Sequence, residues 1–492
     1  MGDDRTKGIV DAFFLIGPSA LLTTLHAIVR KKVVAVVLGA TGVGILSQNW
    51  LLVSLLVNLG MLGLGTAIIK YVSEYAAREA HQEADRLLST SLYLVLILSI
   101  GCALGLVAGA STLATYLFDR DGYRHLILIT AAGTPAYILA RFFECVANGQ
   151  KRIRLIAFST SLAMLAGMAI VYPLVRRMAE AGAMLSLVVS SSLALTVYVF
   201  AYAGSPRQNA WRLLDPRRID LRVLPGLFRF GAANLSRDVA VYVALLLVRS
   251  LIVQRLGPEA NGIFDPASAI SLHISTVFLA LVVYYLPSVS GAGDERAVRQ
   301  ELNETTRIGV LLTVPIVLVV SVFRYPFVAL FYTEGFYEAS GYLSRMLIGK
   351  PFELLNLLML FTFIGTRRLR ALLVFELSRS ALYVLMSWAA FPLLNLDAVV
   401  AAYLVSHVAA FALGVVLLKR ALHVSFSIGN AILFAKALLP IAVLAAVGLR
   451  SAIESVVGLA AVFLWWYLAI GFRDYRDIVG LYVARRHSQR TT

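Results

Sequence analysis

The sequence predicts an all-α polytopic membrane protein of about fourteen transmembrane helices, built as two parallel six-helix lobes followed by two C-terminal helices. Three observations lead there. The chain is 59% hydrophobic and only 15% charged, well beyond the roughly half-apolar composition of a soluble domain. Apolar stretches of about 20 residues, each able to cross ~30 Å of hydrocarbon as a helix, recur from end to end. Two motifs also return at nearly one interval, which marks a doubled unit.

The apolar windows place spans 1 to 14 at 8–38, 43–69, 86–118, 124–148, 153–175, 180–203, 225–255, 262–289, 307–331, 342–364, 370–392, 396–418, 428–447 and 453–471. Asp3, Asp4, Arg5 and Lys7 precede a long apolar run with no small-residue cleavage pattern, so span 1 is read as a retained helix. The doubling is written in two places. GQKRIRL at Gly149–Leu155 returns as GTRRLRA at Gly365–Ala371, 216 residues later, and Gly133-Thr134-Pro135 precedes the first copy as Gly349-Lys350-Pro351 precedes the second. LGATGVGI at Leu38–Ile45 pairs with LGPEANGI at Leu256–Ile263, an offset of 218. Six spans separate the copies, an even number. Both halves therefore enter the membrane in the same sense, as in parallel-repeat transporters whose substrate site lies between the halves. The implied organisation is an N-lobe 1–203, a linker 204–224, a C-lobe 225–420, spans 13 and 14 within 421–471, and a tail 472–492.

The formal charge of +16 reads as topology and not as nucleic-acid binding, because Lys and Arg concentrate in alternate loops. One set holds Lys70, Arg78 and Arg86, the two elbows, the linker and the tail, and the opposite set is poor in them. Both termini are expected in the cytoplasm. Cys102 and Cys145 fall inside spans, so a disulfide framework is not expected. Histidines show no metal-ligand spacing, no Ser-His-Asp arrangement stands out, and the long outer loop typical of a membrane enzyme is missing, so neither catalysis nor a cofactor is expected. Trp50 is read as a packing or interfacial residue.

Ionisable residues within spans cost roughly 2.5–3.5 kcal/mol each on insertion scales, so they face protein or water. In span 1, Arg30, Lys31 and Lys32 fan through about 200° and cannot share one cavity. Adding 218 to Lys31 gives Arg249 in span 7, so each lobe's first helix carries a cation, and the two are expected to face one another. Neither has an acid nearby in sequence. Asp238, Tyr242 and Arg249 share a face of span 7, with Arg237 adjacent. Span 4 carries a polar stripe, Tyr137, Arg141, Glu144 and Asn148, whose counterpart in span 10 stops after Lys350 and Glu353. The pairs Arg141–Glu144, Lys350–Glu353 and Glu376–Arg379 stand at i, i+3, and each is equally a candidate structural pin between helices.

The stretch Val36–Ala77, with its LGxxGxG turn and its ending Lys70-Tyr71-Val72-Ser73-Glu74-Tyr75, resembles the first two helices of Wzx-type polysaccharide (O-antigen) flippases of the multidrug/oligosaccharidyl-lipid/polysaccharide exporter superfamily. The doubled core plus two helices extends the resemblance to the whole chain. It implies alternating-access transport of a polyprenyl-pyrophosphate-linked oligosaccharide to the outer leaflet of the cell inner membrane, among membrane lipids and alongside polysaccharide polymerase and glycosyltransferases. Under it, Arg30, Lys31, Arg141, Arg237, Arg249 and, more weakly, Lys350 are candidate pyrophosphate ligands. Glu144 and Asp238 are candidate sites for a coupling proton or sodium ion. A multidrug antiporter of the same superfamily and a polysaccharide polymerase or ligase are the alternatives.

Overall fold

The computed structural model describes residues 2–204, 214–447, 454 and 456–468. The tail 472–492, linker residues 205–213, residues 448–452 and parts of the last span lie outside the described residues. Among the described residues, eight helices are long and apolar enough to cross a membrane, nine if the bent pair Ala339–Leu347 and Lys350–Gly365 is one broken span.

Three helices must cross twice. Gly2–Met61, Ile153–Ala203 and Leu224–Ser290 run for 60, 51 and 67 residues, and even the shortest would extend ~75 Å at 1.5 Å per residue. Each is broken at one left-handed residue: Gly39 (φ 65°, ψ −158°), Ala179 (φ 50°, ψ −129°) and Gly257 (φ 87°, ψ 169°). Split at these residues, they supply spans 1 and 2, 5 and 6, and 7 and 8. His81–Ala108 with Ala110–Phe118 forms span 3, and Arg124–Gly149 forms span 4. Glu295–Val322 with Arg324–Phe331 is span 9, and the bent pair is span 10. Leu369–Leu394, Leu396–Leu422, Ile428–Ala446 and Val456–Leu468 complete the fourteen.

The repeat predicted from side chains recurs in the backbone. Gly39 and Gly257 break their helices 218 residues apart, and Ala179 matches Asn395 (φ 50°, ψ −127°) 216 apart. Both basic elbows close alike around a left-handed cation, Lys151 (φ 57°) or Arg367 (φ 59°). At the first, Arg152 N donates to Ala147 O (2.8 Å) and Lys151 N to Asn148 O (2.9 Å); at the second, Arg368 N donates to Phe363 O (2.8 Å) and Arg367 N to Ile364 O (3.1 Å). This paired closure uses carbonyls that a helix C-terminus otherwise leaves unsatisfied.

Ala179 occupies backbone space that costs a residue with a Cβ about 1–3 kcal/mol. Ala179→Gly is therefore expected to stabilise the protein by about 1 kcal/mol. A thermal melt in detergent checks this, and a lowered midpoint would count against it.

Packing divides the chain into two compact units that meet in sequence at Gly262 and Ile263. That is one span later than the expected linker boundary, because span 7 packs into the first unit. Gln48 Nε2 of span 2 donates to Ser250 Oγ of span 7 (2.8 Å), and Gly63 packs directly on the backbone of Gly231. The first unit's core includes Leu64, Ile68, Val95, Ile138, Phe142 and Tyr202. Next to the linker, Arg218 pairs with Asp85, and Thr90 Oγ1 accepts from Asp220 N (2.9 Å), tying residues 214–223 to span 3. In the second unit Phe278, Val314, Leu358, Phe363 and Phe375 are fully buried.

Candidate functional site

In the first unit the polar stripes of spans 1, 4 and 7 come together. Arg30 is buried, its guanidinium carbon 5.2 Å from the centre of the Trp50 ring, a cation–π contact that favours a desolvated charge. It also lies within electrostatic reach of His26 and Tyr137. Gly167 leaves room for this group, since a Cβ there would meet His26 Nε2 at 2.6 Å. Lys31, the next residue, is half-buried. Along span 4 the stripe runs from buried Tyr137 to exposed Arg141, half-buried Glu144 and exposed Asn148. Arg141 Nη1 donates to Glu144 Oε1 at 2.9 Å.

On span 7, Arg237 places Nε (2.9 Å) and Nη2 (2.7 Å) on the one oxygen Asp238 Oδ1. Tyr242, one turn on, is within reach of Asp238, Arg237, Arg141 and Ser54. The structure thus gathers Arg141, Arg237 and Asp238 around Tyr242, with Glu144 paired to Arg141 and Arg30 of span 1 beside Tyr137 of span 4. Two of the candidate cations, Arg141 and Arg237, are each paired with an acid here. Each Arg in an ion pair retains N–H groups beyond those donated to its acid, so an incoming anion can be bound without breaking the pair.

Arg249 meets a different geometry from the one expected of a cargo ligand facing Lys31. It is buried, and its Nη1 donates to Asn261 Oδ1 (2.7 Å) and to Asn261 O (3.2 Å). Asn261 Nδ2 in turn donates to Gly44 O (2.9 Å). The guanidinium thus braces the Gly257 break against the equivalent turn at Gly44. Sequence reasoning missed Asn261. Its counterpart at the 218 offset is Val43, and a repeat argument looks for likeness where the structure uses a difference.

Lys350 lies in the second unit, 1% exposed. Its Nζ donates to Glu353 Oε2 (2.6 Å) and Ser275 Oγ (2.7 Å), while Glu353 also accepts from Ser275 Oγ (2.6 Å) and Tyr403 OH (2.5 Å). A buried ion pair persists where further hydrogen bonds satisfy its remaining donors and acceptors, as here. The i, i+3 pair was legible in the sequence; Ser275 on span 8 and Tyr403 on span 12 carried no local signal. Glu376 and Arg379 also pair, at 2.9 Å. Cys102 and Cys145 are both free thiols.

Residues 9–291, more than half of the chain, match the family model described as polysaccharide biosynthesis protein, and residues 239–389 match the model described as MatE. The lipid III flippases of Escherichia coli (strain K12) and Shigella flexneri are each 24% identical over 279 residues. The match covers 56% of this chain and 66% of the length of those relatives. Among solved structures, the lipid II flippase MurJ in an inward closed conformation superposes with a TM-score of 0.72 at 12% identity, over 96% of this chain and 100% of that one. An inward-facing multidrug resistance MATE family transporter of the MOP superfamily gives 0.69 at 14% identity, over 81% and 94%. The chain belongs to the polysaccharide biosynthesis protein family and has the fold of MOP-superfamily transporters.

Proposed function

We propose that this protein is a flippase that carries a polyprenyl-pyrophosphate-linked oligosaccharide from the cytoplasmic to the outer leaflet of the cell inner membrane by alternating access. The observation that carries the reading is the gathering of guanidinium groups from three apolar spans of the first unit, Arg30, Arg141 and Arg237, with Lys31 next to Arg30 in the chain. A pyrophosphate crossing a low-dielectric layer needs charge-assisted hydrogen bonds in place of water. Guanidinium forks supply them in pairs, and a lysine supplies a movable point charge. The family match and the lipid III flippase relatives support the same cargo class.

The driving force belongs to this proposal too. Glu144 and Asp238 sit beside the cations and are candidate sites for a coupling proton or sodium ion. The loop charges argue for cytoplasmic termini, with both elbows at the cytoplasmic headgroups. Polymerase and glycosyltransferases would act on the cargo after and before this step. In this reading Arg249 and Lys350 hold the protein together and do not touch cargo.

The test is reconstitution of the purified full chain into proteoliposomes with a fluorescent polyprenyl-pyrophosphate-linked oligosaccharide, following its exposure to an external glycan-cleaving enzyme. Gradient-dependent transfer above protein-free vesicles is expected, with no new glycosidic bond in the product. The MatE match at residues 239–389 keeps a second reading in view. Accumulation of a cationic dye with no glycolipid transfer would favour the multidrug antiporter.

A further inference from the structure

Span 10 bends by 52° where Ala339–Leu347 gives way to Lys350–Gly365. The buried Lys350–Glu353 pair sits on the first turn after that break. Within the transport reading above, we propose that Glu353 is a proton-binding site and that its pairing with Lys350 is a latch on the bend of span 10.

The latch and the bend share a residue. A Cβ at Gly349, within the break, would lie 2.7 Å from Cε1 of Tyr403, so the tyrosine ring fills the side-chain space of the bend. The hydroxyl of the same tyrosine donates to Glu353 Oε2 at 2.5 Å. The leg before the bend is anchored separately, by Arg345 Nη2 on Asp397 Oδ1 (2.8 Å) and by Ser344 Oγ on Ala445 O (3.3 Å). A change at Glu353 therefore acts on the leg after the bend, through Lys350 and Tyr403.

The charges around Glu353 come from three spans. Lys350 is its own neighbour on span 10. Span 11 brings Arg379 with its partner Glu376, and span 12 brings His407, whose ring packs 4.3 Å from that of Tyr403 and whose Nδ1 meets Tyr403 O at 2.9 Å. Span 8 contributes the Ser275 hydroxyl. Span 9 meets span 10 with Gly309 against Leu354, and span 13 with Phe434 against Phe352.

With Glu353 ionised, Lys350 and Glu353 cancel. The Glu353 side chain is 23% exposed and its partner's 2%, and Lys350 already carries its proton, so the carboxylate is the member of the pair that takes one. An O–H bond then forms on Glu353, Lys350 keeps its proton, and the pair passes from neutral to a single positive charge. The buried ammonium loses its counter-ion, which is costly in a low-dielectric interior. Movement of the leg that carries Lys350 relieves that cost. Release of the proton on the other side of the membrane resets the pair, so the bend follows the proton gradient.

Spin labels placed at Gly341 and Ile364, either side of the bend, test this in the full chain in lipid nanodiscs, with Cys102 and Cys145 replaced by Ala. The interlabel distance is expected to shift between alkaline and acidic buffer, and Glu353→Gln is expected to hold one distance at every pH. Tyr403→Phe keeps the ring at Gly349 but removes one hydrogen bond to the carboxylate. It should move the midpoint of the shift to higher pH, which keeps the proposal testable where Glu353→Gln does not fold. A distance unchanged by pH, a shift surviving in folded Glu353→Gln, or an unmoved midpoint in Tyr403→Phe overturns the latch. The measurement needs no cargo. A pH-dependent bend in a protein that transfers no lipid-linked oligosaccharide would overturn the flippase reading and leave the latch standing.

Discussion

Gly262→Val is expected to leave little folded protein. A Cβ at Gly262 would stand 1.8 Å from Ala40 O and 3.0 Å from Gly44 N, and one at Gly44 would stand 2.0 Å from Pro258 O. Gly44 and Gly262 are equivalent at the 218 offset, and so are Ala40 and Pro258. Each glycine thus faces the carbonyl equivalent to its own neighbour's, a reciprocal contact between the two LGxxxxG turns. Small residues four apart let helix backbones touch in membranes, where close packing replaces the hydrophobic effect as the force between helices. The obstacle to a side chain here is backbone, which has no rotamer to change. Overpacking typically costs about 1–3 kcal/mol where side chains can adjust, and the valine should cost more. Gly101→Ala is the control: no atom lies within 4 Å of its Cβ, and in a helix interior the change should be neutral or stabilising by up to about 1 kcal/mol. Size-exclusion profiles and thermal melts in detergent separate the two. A monodisperse Gly262→Val protein with the wild-type midpoint would refute the role given to this contact.

That contact marks the limit of what the sequence carries. The 216 and 218 offsets were legible because helix breaks and basic elbows recruit particular residue types, and the backbone repeats them at Gly39 and Gly257, Lys151 and Arg367, Ala179 and Asn395. The number of spans followed from apolar length alone. That the two copies of one turn touch each other did not follow, because likeness in sequence says nothing of proximity. The i, i+3 ion pairs were legible for the opposite reason: helix geometry makes them local. Lys350 shows both sides, with Glu353 readable three residues on and Tyr403, 53 residues on, invisible until spans 10 and 12 pack. For Arg249, the offset identified a cation at the depth of Lys31 but could not say which way a guanidinium next to a helix break would turn.

The double variant Arg141→Gln with Arg237→Gln is expected to fold normally and to lose transport. Both side chains are partly open, at 49% and 24% exposure, and such ion pairs contribute about 0–1 kcal/mol to stability. A charged hydrogen bond to a pyrophosphate in a dehydrated site is worth about 1.5–3 kcal/mol, so losing two should slow transfer by at least ~100-fold. Lysine at both positions keeps the charge without the fork and should recover part of the rate. Arg249→Met should behave in the opposite way. Its removal strands Asn261 Oδ1 inside the protein, a loss of about 1–3 kcal/mol, so the melting midpoint should fall while the protein that remains folded still transports. From sequence, Lys31 and Arg249 were expected to face one another as pyrophosphate ligands; the bonds of Arg249 to Asn261 transfer the test of that role to Arg141 and Arg237. Transport rate per folded molecule, measured beside the melt for each variant, decides between them. Wild-type transfer by the double glutamine variant would remove these arginines from the cargo path, and a transport defect in a fully stable Arg249→Met would return Arg249 to it.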